Sequence, residues 1–177
     1  VKQLSACCIF FLMILVFSPT LFASENDATK GFDKITLLIG TWQGTLPDGK
    51  PITVTYEPIS GGAILEMYHS DDPMWWNMST VYFRESQHIF MTHYCSWGNH
   101  PRMRARASRS SETVDVLKFD YVDMIQTQPT KGHMRDLTLE FNGNNKLYHH
   151  WIWREKGKDT SLSLMLTRHD MFVSRTH

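Results

Sequence analysis

The chain lacks an excess of charge of either sign. Lysine and arginine number 18, and aspartate and glutamate also number 18. That balance excludes the positive face that a nucleic-acid partner or a polybasic membrane contact needs. Cysteine is scarce. Of Cys7, Cys8 and Cys95, the first two fall within an N-terminal leader, so Cys95 stands alone and no internal disulfide staples the fold. A lone thiol in an oxidising compartment is ordinarily buried and inert. Nucleophile elbows, glycine-rich phosphate loops and close metal pairs such as CxxC or HExxH are missing. No enzymatic signature is therefore present in sequence order, although an active site assembled from distant strands stays open. Internal repeats and low-complexity segments are missing as well. So is any helical stretch long enough for a crossover between parallel strands, which excludes a parallel sheet.

What is there is an ordinary globular mixture, 42% hydrophobic and 20% charged, rich enough in apolar residues to fold. The N-terminus reads as a secretory leader over residues 1–23. Lys2 supplies the positive start, and Ile9 to Phe17 is an unbroken apolar run. Leu21 and Ala23 take the small-residue positions before a cut at Ser24. The run is shorter than the roughly 20 residues of a membrane span. An uncleaved anchor is the alternative. A lipoprotein box at Leu4–Cys7 is rejected, because it precedes the apolar run instead of following it. The expectation is export to the periplasm or the extracellular space, with no membrane span after cleavage.

Residues 24–31 read as a polar lead-in. Phe32, Ile35, Leu38 and Ile39 have helical spacing and predict a short helix ended by Gly40. Beyond it, short runs of β-branched and aromatic residues alternate with turns such as Pro47-Asp48-Gly49 and Asn142 to Asn145. They predict about ten antiparallel strands between Thr41 and Thr167. The stretch from Val122 to His133 reads as irregular, and residues 169–177 as a tail. A meander of this length closes on itself to remove its edges. The fold class is all-β: one up-and-down barrel over residues 32–168 with a short N-terminal helix.

The sequence Gly40-Thr41-Trp42, after a short helix and before a strand meander, resembles the calycin group. That group comprises lipocalins, fatty-acid-binding proteins and haem-binding nitrobindins. The resemblance implies that Trp42 closes one barrel end. The segments Thr92-His93-Tyr94-Cys95, Gly98 to Met103, Phe119-Asp120 and Gly132-His133-Met134 are similar to a family of exported bacterial lipocalin-like proteins without assigned function. That family carries Gln where this chain has His100, which argues against His100 as a shared ligand. Nitrobindins hold haem through a histidine late in the chain. Haem is thus the one cofactor the resemblance brings in, without assigning its ligand here.

Several residues are candidates for chemistry. Arg102, Arg104 and Arg106 share one strand face. Facing inward, they would clamp a carboxylate or phosphate. Facing outward, they are a solvated row balanced by acids such as Asp115, the commoner arrangement. Asp120 and Asp123 are carboxylates without an evident partner. His93 and Cys95 share a face and, with His133, form a weak metal-ligand set. His149 and His150 point to opposite faces, so at most one meets the interior. Trp75 and Trp76 form a lid over the barrel mouth or a plug within it.

The reading that follows is a barrel binding a small apolar or anionic ligand, with Trp42, His93, Arg102, Arg104, Arg106, His149 and His150 as the residues that would meet it. The alternatives are a haem or metal barrel, a filled barrel serving as an interaction domain, and, last, an envelope enzyme. Ligand identity, strand register and oligomeric state are not written in the sequence.

Overall fold

The computed structural model of the chain describes residues 20–106, 116–126 and 132–169, and within them the side chains from 28 onward apart from that of 126. Most of the leader and of the C-terminal tail lies outside these residues, as do Asp115, the turn at 110–112 and residues 127–131. The described chain is one helix, α1 (Thr20–Thr36), followed by ten strands. These are β1 (Gly40–Thr45), β2 (Pro51–Pro58), β3 (Ile64–His69), β4 (Ser79–Glu85), β5 (His88–Tyr94), β6 (Asn99–Ala105), β7 (Val116–Gln126), β8 (His133–Asn142), β9 (Lys146–Glu155) and β10 (Lys158–Arg168).

Every strand pairs antiparallel with its neighbour in sequence, and β1 pairs with β10 to close the barrel. Turn chemistry fixes the register. Between β9 and β10 the turn is Lys156-Gly157, with φ of +48° and +77°. Two left-handed residues in a two-residue hairpin match the right-handed twist of the flanking strands.

Three expectations need correction. The polar lead-in is not a loose segment, because α1 runs through it from Thr20. Ala28 extends the stripe of Phe32 and Ile35 by one turn, and helical spacing makes the three a single face. The helix also ends earlier than expected, at Thr36, and Leu37 and Leu38 form a turn. Where it is described, the stretch expected to be irregular is strand apart from Gly132, since β7 continues to Gln126 and β8 begins at His133.

Helix α1 caps one barrel end, where Phe32 and Ile35 are buried. Its approach is close: a Cβ at Gly31 would lie 2.9 Å from Ile89 Cδ1 and 3.3 Å from Leu117 Cδ2, so a larger residue there would make both side chains shift. The turn after the helix is pinned by Trp42, whose Nε1 donates to the Leu38 carbonyl at 2.8 Å. Trp42 does close this end. Among the described residues no helix is long and apolar enough to cross a membrane.

Alternation sends Ile52, Val54 and Tyr56 of β2, and Ile64, Glu66 and Tyr68 of β3, inward. Two irregularities break the simple period. The register shifts between Arg102 and Met103 against β7, and between Met134 and Asp136 against β9. An extra residue at a bulge reverses which parity faces inward. Met134 is therefore buried, and so are Leu137 and Leu139 beyond the shift.

Candidate functional site

The barrel interior is not uniformly apolar. Tyr56, Glu66, Thr80 and His93 are successive cross-strand partners over β2, β3, β4 and β5, and all four are buried. Opposite them, β9 projects His149 and Trp151 into the same layer, also fully buried. The two sides meet. His149 Nε2 lies 2.9 Å from Tyr56 Oη and Nδ1 lies 3.0 Å from Tyr68 Oη. Both hydroxyls contact Glu66 Oε1, at 2.6 and 3.1 Å. Tyr82 Oη reaches Glu66 Oε2 at 3.0 Å. Glu66, Tyr56, His149 and Tyr68 thus form a closed hydrogen-bonded ring, with Tyr82 attached.

Five contacts need five hydrogens, and two proton arrangements supply them. In the first, His149 is an imidazolium donating to both tyrosines, and all three tyrosines donate to an ionised Glu66. In the second, Glu66 is protonated and His149 neutral: Glu66 donates to one of Tyr56 and Tyr68, that tyrosine donates to His149, and the His149 N–H donates to the other tyrosine, which donates back to Glu66. The first buries two full charges and the second buries none. Burial penalises charge heavily, which favours the neutral ring. The same burial raises the Glu66 carboxyl above its usual range against the lowering effect of its hydroxyl donors. Burial, with His150 nearby, takes His149 down to about 3. The three tyrosines are pushed well above their ordinary value, first by burial and then by Glu66.

His93 lies beside this ring. Its Nδ1 is 3.0 Å from Thr80 Oγ1, and Thr80 is the cross-strand partner of Glu66, near enough to lower its carboxyl. With the Thr80 hydrogen given to Glu66, His93 Nδ1–H donates to Thr80, and Nε2 is left as an acceptor. That Nε2 has no hydrogen-bond partner, and neither has Trp151 Nε1. The indole N–H is near enough to Tyr68 to influence its acidity, yet no well-aligned bond closes. The two rings lie 4.9 Å apart. One unpaired acceptor and one unpaired donor therefore sit side by side. Burial, followed by His100, lowers His93 to about 3, so its ring is neutral.

One tier further along the strands, roughly 7 Å, is the mouth opposite α1. Cys95 and Trp153, two residues beyond His93 and Trp151, line a pocket of about 210 Å³ there with Met78, Met134 and Leu162. The loop between β3 and β4 divides its tryptophans. Trp75 turns inward, 4% exposed, and packs on Tyr68 at 5.7 Å, whereas Trp76 is 60% exposed. Lys50 fixes this loop through Asp72 at 2.9 Å.

The arginine row faces outward. Arg102 forks onto Asp123 at 3.0 and 2.6 Å, and Arg106 onto Asp120 at 2.8 and 2.7 Å. Arg104 is exposed between them. The inward clamp for an anion is therefore withdrawn. The acids that balance the row are Asp120 and Asp123, and Asp115 lies outside the described residues. His150 is also outward, 3.0 Å from Ser163 Oγ. His133 packs on Tyr121 at 5.4 Å and pairs in register with Arg154, so it does not join His93 and Cys95. Among the described residues no three His, Cys, Asp or Glu side chains form a metal-holding group. Both His149 nitrogens are engaged by tyrosine hydroxyls, so His149 has no free nitrogen for haem.

No family model matches the chain, and no curated protein matches it. Among solved structures it is similar to the crystal structure of Rv2717c from M. tuberculosis, with a TM-score of 0.55 and 14% sequence identity, over 78% of this chain and 97% of that one. At that identity the likeness shows the fold: a closed ten-stranded antiparallel barrel.

Sequence reasoning missed Glu66, Tyr56, Tyr68, Tyr82 and Trp151. A signal for the first was present. In Ile64-Leu65-Glu66-Met67-Tyr68 the carboxylate shares the phase of Ile64 and Tyr68, which is the buried phase.

Proposed function

We propose that the barrel binds a small, largely apolar molecule carrying one hydroxyl, at the mouth opposite α1. The observation that carries this reading is the unpaired pair His93 Nε2 and Trp151 Nε1, each two residues along its strand from a wall residue of the mouth pocket, Cys95 and Trp153. A buried polar atom without a partner costs roughly 1–3 kcal/mol, and a ligand hydroxyl satisfies both atoms by donating to the imidazole and accepting from the indole. The pocket volume of about 210 Å³ suits a single ring, since a dry cavity of roughly 150 Å³ holds benzene. Glu155 in the pocket lining argues against an anion. The apolar run at Ile9–Phe17 supports an exported protein, and the motif around Trp42 supports a lipocalin-like lineage.

The test is to titrate the protein with p-cresol and with toluene, following the Trp151 indole N–H signal by NMR. Cresol is expected to bind about tenfold tighter than toluene, the scale of one satisfied buried hydrogen bond, and Trp151→Phe, followed through the Trp153 indole of the pocket wall, is expected to shrink the difference. Equal affinity for both, or none for either, sinks the reading. A second reading would then stand, a filled barrel acting as a contact domain through Trp76 and Trp97, which are 60% and 41% exposed.

A further inference from the structure

The closed end of the barrel carries a second cavity that the mouth site does not use. It is a groove of about 480 Å³ between the end of α1, β1 and the β8–β9 hairpin, within the roughly 300–1,000 Å³ of small-molecule pockets. Leu38, Trp42 and Phe141 give it an apolar floor. Lys34, Lys146 and Arg168 stand around that floor, and no aspartate or glutamate lines it.

Arg168 is the fixed element. Its Nε donates to Asn144 O at 3.0 Å, Nη1 to Ile39 O at 3.0 Å and Nη2 to Leu37 O at 2.6 Å. Its guanidinium lies 4.3 Å from the Trp42 ring centroid. These partners are neutral, so the charge is oriented without being cancelled. Lys146 is exposed at the start of β9. Positive charge beside apolar surface in one concavity complements an amphipathic anion.

We propose that this groove binds a small monocarboxylate on an apolar body, its head in the field of Lys146 and Arg168 and its tail on Trp42 and Phe141. The site is separate from the mouth, and the proposal stands or falls independently of the cresol experiment.

The test uses the full chain labelled with nitrogen-15 and titrated with decanoate. Decanol supplies the tail without the charge, and acetate the charge without the tail. Decanoate is expected to shift the amides of residues 143–146 and the Trp42 indole saturably, with both controls at least tenfold weaker. Lys146→Glu should weaken decanoate by about tenfold, Lys146→Arg should restore it, and added salt should weaken it further. Any of the following results overturns the proposal. One is decanol binding as well as decanoate. Another is shifts centred on Cys95 to Trp97, which would move the ligand to the mouth. The third is no saturable shift, or a Lys146→Glu protein that binds unchanged.

Discussion

His149 on β9 meets Tyr56 on β2 at 2.9 Å, a hydrogen bond between strands that are not neighbours in the sheet. It ties the two sides of the barrel through its interior. Replacing His149 with Leu keeps the bulk and strips partners from the Tyr56 and Tyr68 hydroxyls. Each hydroxyl keeps Glu66 and loses its second partner, and two lost buried hydrogen bonds predict a loss on the order of 1–3 kcal/mol, read from urea unfolding. Tyr82→Phe removes one end contact of the network and leaves the ring closed, so it should cost distinctly less. Equal losses would mean that the ring has no special weight.

The ring also sets a pH dependence with opposing parts. His93 and His149 fall from 6.5 to about 3 on folding, so their stabilisation is complete above pH 6.5 and is lost as pH falls toward 3. Glu66 is raised above 4.5, so its stabilisation is present below 4.5 and is lost as pH rises through the folded value. Between 4.5 and 6.5 the two histidines outweigh the one carboxyl, and stability falls on acidification. Glu66→Gln removes the opposing part. The slope of unfolding free energy against pH in that window should steepen, by up to about 1.4 kcal/mol per pH unit for one proton. A shallower slope in the variant would contradict the protonated Glu66.

Much of the architecture was legible in the sequence. Ten strands and the short helix follow from turn residues, alternation and helical spacing, whereas the closing role of Trp42 was implied by the calycin resemblance. The layer inside the barrel was not. The alternation in Arg102-Met103-Arg104 correctly leaves two faces, but nothing local says which is inward until Met103 is placed against Tyr121. Bulges near Met103 and Arg135 shift the phase, and a bulge leaves no fixed residue signature. His149 and Glu66 are 83 residues apart in the numbering, and only barrel closure brings them together, so their pairing was beyond local patterns. Glu66 itself was readable, as a carboxylate in the buried phase of β3.

Two arginines give a contrast in what an ion can contribute. Arg106 is paired with Asp120 on the surface, where solvent and salt screen the pair. Arg106→Ala should leave the melting temperature unchanged within error. Arg168 binds three carbonyls and covers Trp42. Arg168→Ala hands those exposed acceptors to water and uncovers the Trp42 ring, and should cost on the order of 1–2 kcal/mol, seen in thermal and urea unfolding. A reversed order would show that the Trp42 end is not a stability element.

Cys95 offers a direct report on the mouth. Its thiol is buried at the pocket wall, and burial raises its pKa above the ordinary value. Both effects lower the thiolate fraction that reacts with alkylating reagents. Folded protein should therefore react with iodoacetamide far more slowly than urea-unfolded protein at the same pH. Bound p-cresol should slow it further, because the ring would stand between Cys95 and solvent. Trp97→Ala opens the rim and should speed labelling without cresol, and the protection on adding cresol should persist. Labelling that cresol does not change, under conditions where NMR shows cresol bound, would place the ligand away from this pocket.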